Sequence, residues 1–89
     1  YDLAKEIRLL TMPAMIVVGD EDERCIELAL FLKSAISASG LTVFPKTGHA
    51  VNLEEPDLFN RAVSNFLFRV DGGTWLPRDA RTRAAERPV

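Results

Sequence analysis

The sequence predicts an α/β fold, a partial three-layer sandwich in which two parallel strands form a βαβ unit with flanking helices. Two short apolar runs, residues 14–18 and 41–44, have the length and β-branched content of buried strands. Residues 24–38 between them are long and apolar enough for a helix that other elements cover on most sides. A strand–helix–strand unit of this kind almost always makes a right-handed parallel crossover, so both strands point the same way.

Helices on either side complete the order helix, strand, helix, strand, helix. Residues 2–9 have the apolar spacing of a short amphipathic helix, which Pro13 stops. Gly40 predicts the C-terminal stop of the central helix. After a loop over residues 46–53, Pro56 stands at a first helical position and opens the last helix.

The chain divides into a folded part, residues 1–70, and a tail, residues 71–89. The last helix runs over 56–69, where apolar residues recur at helical spacing. Beyond it the pattern dissolves into a mixed, arginine-rich stretch that predicts a mostly disordered tail. Trp75 is its one expected anchor on the folded part.

Bulk composition excludes several classes of protein. A chain of 89 residues has room for one small domain, and its net charge of -2 makes no case for nucleic acid or an anionic membrane as partner. No apolar run approaches the roughly 20 residues that span a bilayer. The single cysteine excludes an internal disulfide and suits a reducing compartment, and no signal peptide is visible, so we expect a cytoplasmic protein.

Two strands and three helices are too few to bury a parallel sheet on both faces. The chain also begins with Tyr1 rather than Met. We therefore expect part of the fold to lie outside this sequence, and we expect the open strand edges to favour self-association.

One carboxylate and one imidazole are predicted to meet at the same edge of the sheet. Asp22 follows the first strand and His49 follows the second. Neighbouring strands lie about 4.8 Å apart, and loops at the carboxyl ends of parallel strands are where open α/β sheets place their sites. A carboxylate that holds one ring nitrogen of a histidine prepares the other nitrogen to act as a general base. Gly48 allows the turn that aims the ring.

Two motifs carry a family resemblance. Residues 16–22, IVVGDED, resemble the strand and G-x-x-D acid motif of the α/β-hydrolases, and residues 42–56, TVFPKTGHAVNLEEP, resemble their last strand, Gly-His motif and the start of the C-terminal helix. The resemblance covers about residues 7–70 and implies the C-terminal part of such a fold. It implies that Asp22, rather than Asp20, orients His49, and that His49 activates a serine to attack an ester or related bond of a small-molecule substrate in the parent protein. It implies no cofactor.

The nucleophile of that family is missing. No G-x-S-x-G motif occurs, and none of the serines, which are Ser34, Ser37, Ser39 and Ser64, stands on a strand-to-helix turn. Loss of a triad member costs many powers of ten in rate, so we expect this chain alone to be catalytically inert. Serine is the default nucleophile, and cysteine and aspartate versions stay open.

Other readings of the same residues stay open as well. The strand that ends in clustered acids is also similar to that of a receiver-type signalling domain, although no later strand carries a phosphoacceptor aspartate. A non-catalytic remnant that folds with a partner is a third reading. Four successive acids, residues 20–23, cannot all converge on a cation, so we expect no metal site there. We expect Cys25 to be a buried small residue and Glu54 to position the last helix.

Overall fold

The computed structural model describes residues 2–78 as four helices and two strands. In chain order the elements are α1 (Leu3–Ile7), β1 (Ala14–Gly19), α2 (Glu23–Ala35), β2 (Ser39–Phe44), α3 (Val51–Glu54) and α4 (Pro56–Asp71). The predicted fold class is confirmed, and so is the predicted order, with one short additional helix.

The sheet is the parallel pair that the crossover rule requires. β1 and β2 pair from Ala14 opposite Ser39 to Gly19 opposite Phe44, with α2 as the connection between them. Both strands therefore end at one edge, and the loops that follow them leave the sheet side by side. Within residues 2–78 no helix combines the length and the apolar content that crossing a bilayer needs.

The core is small and lies between α2 and the sheet. Its buried apolar side chains are Val18, Ala29, Ala35, Ile36, Ala38 and Phe44. Larger apolar side chains of α2 are exposed to solvent: 56% of the surface of Leu28 and 57% of that of Leu30 is accessible. The apolar helix therefore lacks the cover that its sequence predicts.

The prediction that Gly40 stops the central helix is wrong. α2 ends at Ala35, and Gly40 lies within β2 opposite Met15. Its lack of a side chain serves a different purpose, because a Cβ at this position would collide with the indole ring of Trp75. A glycine after an apolar helix can either end that helix or make room for a packed ring in a strand, and only the tertiary packing distinguishes the two roles.

The predicted loop over residues 46–53 contains the single helical turn α3. The carbonyl of Ala50 accepts hydrogen bonds from the backbone N–H groups of Leu53 and Glu54. Pro56 prevents α3 from running into α4, because a residue before proline is pushed out of the helical region, and Glu55 has φ -133 and ψ 66.

The chain after α4 turns back to the sheet. α4 continues to Asp71, two residues beyond its predicted end, and Trp75 then donates a 2.7 Å hydrogen bond from Nε1 to the carbonyl of Ala38. The indole also meets Phe66 edge to face at 4.8 Å. Trp75 is thus the anchor that the sequence predicts, and the rest of the predicted disordered tail, residues 79–89, lies outside the described residues.

Candidate active site

Hydrogen bonds tie together the two loops that follow β1 and β2. The backbone N–H of Asp20 donates to the carbonyl of Phe44 at 2.9 Å, which continues the sheet ladder by one step. The N–H of Glu21 donates to the carbonyl of Thr47 at 3.0 Å. In return, the N–H of Thr47 donates to Oδ1 of Asp20 at 3.3 Å. The loops therefore form one connected rim rather than two independent segments.

Close packing at the end of β1 supports this rim. A Cβ at Gly19 would collide with the carbonyl oxygens of Thr47 and Gly48, so only glycine allows the second loop to approach this closely. Thr47 is fully buried beside it, and its hydroxyl donates to the carbonyl of Pro45 at 2.8 Å. The backbone that leads to His49 is thus held against β1.

The short helix α3 holds the histidine loop from its other side. The carboxylate of Glu54 accepts a 3.0 Å hydrogen bond from the N–H of Gly48, and the N–H of Val51 donates to the carbonyl of His49 at 3.1 Å. The sequence predicts that Glu54 positions the last helix. In the structure its side chain instead fixes the residue directly before His49.

Asp22 and His49 meet at the rim. Nδ1 of His49 lies 2.7 Å from Oδ2 of Asp22, which immediately precedes α2. An ionised carboxylate only accepts hydrogen bonds, so Nδ1 carries the hydrogen, and in the neutral imidazole Nε2 is then the nitrogen with the lone pair. The Asp22 side chain is mostly covered, with 18% exposed, whereas the His49 side chain is 86% exposed. The pair therefore presents a basic nitrogen, Nε2, at the open edge of the sheet.

Cys25 is the residue of this site that the sequence reasoning missed. Its Sγ lies 3.8 Å from Nδ1 of His49. Asp22 precedes Cys25 by three residues, so the two side chains lie on the same side of α2. Sγ also lies within 4.8 Å of a carboxylate oxygen of Asp22, towards which the thiol hydrogen can be directed. Cys25 is half-buried rather than buried. The three-residue spacing of Asp22 and Cys25 at the start of a predicted helix is the sequence feature that would have placed the two side chains together.

The thiol and the carboxylate shift each other's pKa. The hydrogen bond from Cys25, followed by that from His49, lowers the pKa of Asp22 and keeps it ionised. The same hydrogen bond, together with desolvation and the negative charge of Asp22, raises the pKa of Cys25. At neutral pH the site thus contains a carboxylate and a protonated thiol.

Comparisons with known proteins agree with this architecture. The chain is 44% identical over 62 residues to a 2-hydroxy-6-oxononadienedioate/2-hydroxy-6-oxononatrienedioate hydrolase of a Pseudomonas species, across 67% of this chain and 22% of that protein. It is 31% identical over 67 residues to a proline iminopeptidase of Thermoplasma volcanium, across 75% of this chain and 23% of that protein. No family model matches.

A solved structure decides the fold family. The chain superimposes on MenH from S. aureus with a TM-score of 0.74 at 25% identity, over 78% of this chain and 26% of that one. The chain belongs to the α/β-hydrolase fold family. It spans about a quarter of the length of the relatives it matches.

The three acidic residues that follow β1 in this α/β-hydrolase segment make different contacts. Asp20 accepts from the Thr47 backbone, and Glu21 forms an exposed ion pair with Lys46 at 3.3 Å. Only Asp22 of these three has a hydrogen bond to the histidine. Ser39 lies at the start of β2, at the opposite end of the strands, and its hydroxyl donates to the carbonyl of Ile36. The hydrolase segment therefore presents an acid and a base at one edge, and Ser39 is remote from them.

Proposed function

We propose that this chain supplies the acid and the histidine of a Ser-Asp-His-type triad, in a hydrolase that acts on ester or related bonds of small molecules. The observation that carries the proposal is the 2.7 Å hydrogen bond between Nδ1 of His49 and Oδ2 of Asp22. It lies at the carboxyl edge of a parallel pair of strands, which is the edge where α/β folds carry out their chemistry.

In this proposal, Nε2 of His49 accepts the proton of a nucleophile as the nucleophile attacks the substrate carbonyl. The resulting imidazolium is stabilised by the ionised Asp22, and His49 then gives its proton to the leaving group. The exposure of the His49 ring supports this step, because the ring is accessible to a nucleophile on another segment. Asp22 stays ionised throughout, in agreement with its lowered pKa.

The nucleophile and the oxyanion donors belong to a segment other than these 89 residues, which contain no G-x-S-x-G motif. We take serine as the nucleophile, since it is the default partner of such a pair. The chain alone is then inert. The two named relatives are a hydrolase of 2-hydroxy-6-oxononadienedioate and a proline iminopeptidase, so similarity in this segment does not specify a substrate.

A chimera tests the proposal, because the chain covers 22% of the Pseudomonas hydrolase at 44% identity. The matching segment of that hydrolase is replaced by residues 2–78 of this chain, and turnover of the hydrolase's own substrate is measured. We expect activity in the chimera and a loss of at least about a thousandfold in kcat with His49→Ala or Asp22→Asn, because the base or its orientation is removed.

Glu23→Gln is the matched control, since it neutralises an adjacent acid that starts α2 and has no hydrogen bond to His49. It should keep the activity of the chimera. Circular dichroism establishes that each variant is folded. A folded, active chimera whose kcat is unchanged by His49→Ala refutes the proposal, and so does a folded chimera that fails to turn over at all.

The alternative of a remnant that folds with a partner has one observation in its favour, the open apolar side chains of α2. Sedimentation of the 89-residue chain with and without the remaining segment of the Pseudomonas hydrolase separates the readings. Association that restores turnover favours the hydrolase, whereas association without turnover favours the remnant. The receiver-type alternative gains nothing from the comparisons, which are with α/β-hydrolases.

A further inference from the structure

Three different metal-ligating atoms converge at the rim. A carboxylate oxygen of Asp22, Sγ of Cys25 and a ring nitrogen of His49 all lie within 4.8 Å of one another. Two of them come from the start of α2 and the third from the loop after β2, so the folded sheet brings them together. Thiolate, imidazole and carboxylate are the ligands that zinc takes in proteins.

The spacing of these atoms can be compared with a tetrahedral zinc site. Bond lengths of about 2.3 Å to sulfur and about 2.0 Å to nitrogen or oxygen place sulfur and nitrogen about 3.6 Å apart, and nitrogen and oxygen about 3.3 Å apart. The observed separations are 3.8 Å between Sγ and Nδ1, and 2.7 Å between Nδ1 and Oδ2. The distance between sulfur and nitrogen already agrees to about 0.2 Å, and the imidazole and carboxylate must separate by about 0.6 Å.

The histidine can make that movement. Its side chain is 86% exposed, so few contacts oppose a small rotation of the ring. Asp22 and Cys25 are held more firmly, because they stand before and within the first turn of α2. The more rigid part of the site thus carries two ligands, and the movable part carries the third.

We propose that Asp22, Cys25 and His49 form a binding site for a borderline-soft divalent transition metal, with Zn²⁺ as the best match, and that solvent fills the fourth position. The site differs from the run of acids at residues 20–23, from which it takes only Asp22. Metal binding uses Nδ1, the same atom that donates to Asp22, so the imidazole moves its hydrogen to Nε2 and the Cys25 thiol releases its proton to solvent as the metal binds. The metal-bound state and the Asp22–His49 hydrogen bond therefore exclude each other, and Zn²⁺ would block the base of the proposed hydrolase.

Co²⁺ serves as the spectroscopic probe, because a thiolate ligand gives it an intense near-ultraviolet charge-transfer band. We expect this band when Co²⁺ is added to the full 89-residue chain under reducing conditions, and its loss when Zn²⁺ displaces Co²⁺. Cys25→Ser should abolish the band, and both Cys25→Ser and His49→Ala should weaken Zn²⁺ binding by at least about tenfold in calorimetry.

Glu23→Gln, which removes an acid adjacent to the site, should leave the affinity for Zn²⁺ unchanged. Circular dichroism is recorded on the same samples, and the titration is repeated in urea, because unfolded chains also bind metals through cysteine and histidine. A band that persists with the same affinity in urea refutes a site built by the fold. An unchanged affinity in Cys25→Ser refutes it as well. Since neither readout involves turnover, failure here leaves the chimera result untouched.

Discussion

The rim of the sheet and the apolar face of α2 and β1 differ in how many of their contacts lie within this chain. At the rim, loop binds to loop, Thr47 is fully buried, and across residues 2–78 every buried side-chain nitrogen or oxygen has a hydrogen-bond partner. The apolar face instead carries an open groove of about 180 Å³, lined by Ile16, Val17, Val18, Cys25, Leu28, Ala29 and Leu32. The polar edge is complete within the segment, whereas the apolar face is not.

The difference follows from the range of the two interactions. The hydrogen bonds of the rim join two loops that leave neighbouring strands, so a βαβ unit can satisfy them by itself. Burial of an apolar face requires a second layer of residues, and the chain spans only about a quarter of the relatives it matches. The contact between Asp22 and His49 thus forms within this segment. The stability of the segment depends more on residues that cover its apolar face.

The largest expected effect comes from Gly19→Ala, which attacks the rim. The new Cβ would collide with the backbone carbonyls of Thr47 and Gly48, so the second loop must move away from β1. We expect a loss of about 3 kcal/mol in the free energy of unfolding, measured with urea by circular dichroism. Gly72→Ala is the control, because Gly72 has helical φ and ψ, and there the change should stay below about 1 kcal/mol. Equal losses in the two variants would contradict a tightly packed rim.

Trp75→Ala should have the next largest effect, and it acts at the opposite end of the strands. The variant loses the hydrogen bond to Ala38 and the edge contact with Phe66, which should cost about 2 kcal/mol in the free energy of unfolding. Trp75→Phe keeps an aromatic ring and should cost about 1 kcal/mol. The imidazole NMR signals of His49 should be unchanged in both folded variants, and a shift of those signals would show that the two ends are coupled.

In the isolated chain, Asp22→Asn should have a smaller effect than the two changes above, on the reactivity of the Cys25 thiol. The carboxylate raises the pKa of Cys25, so its removal lowers that pKa and increases the thiolate fraction at neutral pH. We expect alkylation by iodoacetamide at pH 7.5 to be faster in the variant than in the unchanged chain. Glu23→Gln should leave the rate unchanged. A slower reaction in Asp22→Asn would mean that the carboxylate does not act on the thiol.

The smallest effect on stability is expected on the apolar face. Leu28 is 56% exposed, so Leu28→Lys should change the free energy of unfolding by less than about 0.5 kcal/mol while it reduces self-association in sedimentation experiments. Ala29 is the matched neighbour with 3% of its surface exposed, and Ala29→Lys should lower the free energy of unfolding by about 2 to 3 kcal/mol. Strong destabilisation by Leu28→Lys would mean that the face is covered within this chain.

Much of the fold could be predicted from local pattern, and part of the site could not. The two apolar runs predict strands, and the crossover rule makes them parallel, which is enough to bring Asp22 and His49 to one edge. The place of Cys25 depends on how α2 is rotated against the sheet, which packing decides. The bond from Gly48 to Glu54 depends on the turn α3, which a loop-like sequence did not reveal.

The order of elements, the direction of the strands and the ends at which polar residues emerge were determined by the sequence alone, because apolar spacing and the handedness of the crossover are local or general properties. Spacing alone leaves both Asp20 and Asp22 as possible partners of His49; the family resemblance names Asp22, and only the tertiary structure shows the physical reason. Asp20 is held by the Thr47 backbone, and Asp22, at the start of α2, is left facing the ring. Those bonds form only when two loops pack together, so residues far apart in the chain decide between neighbouring acids.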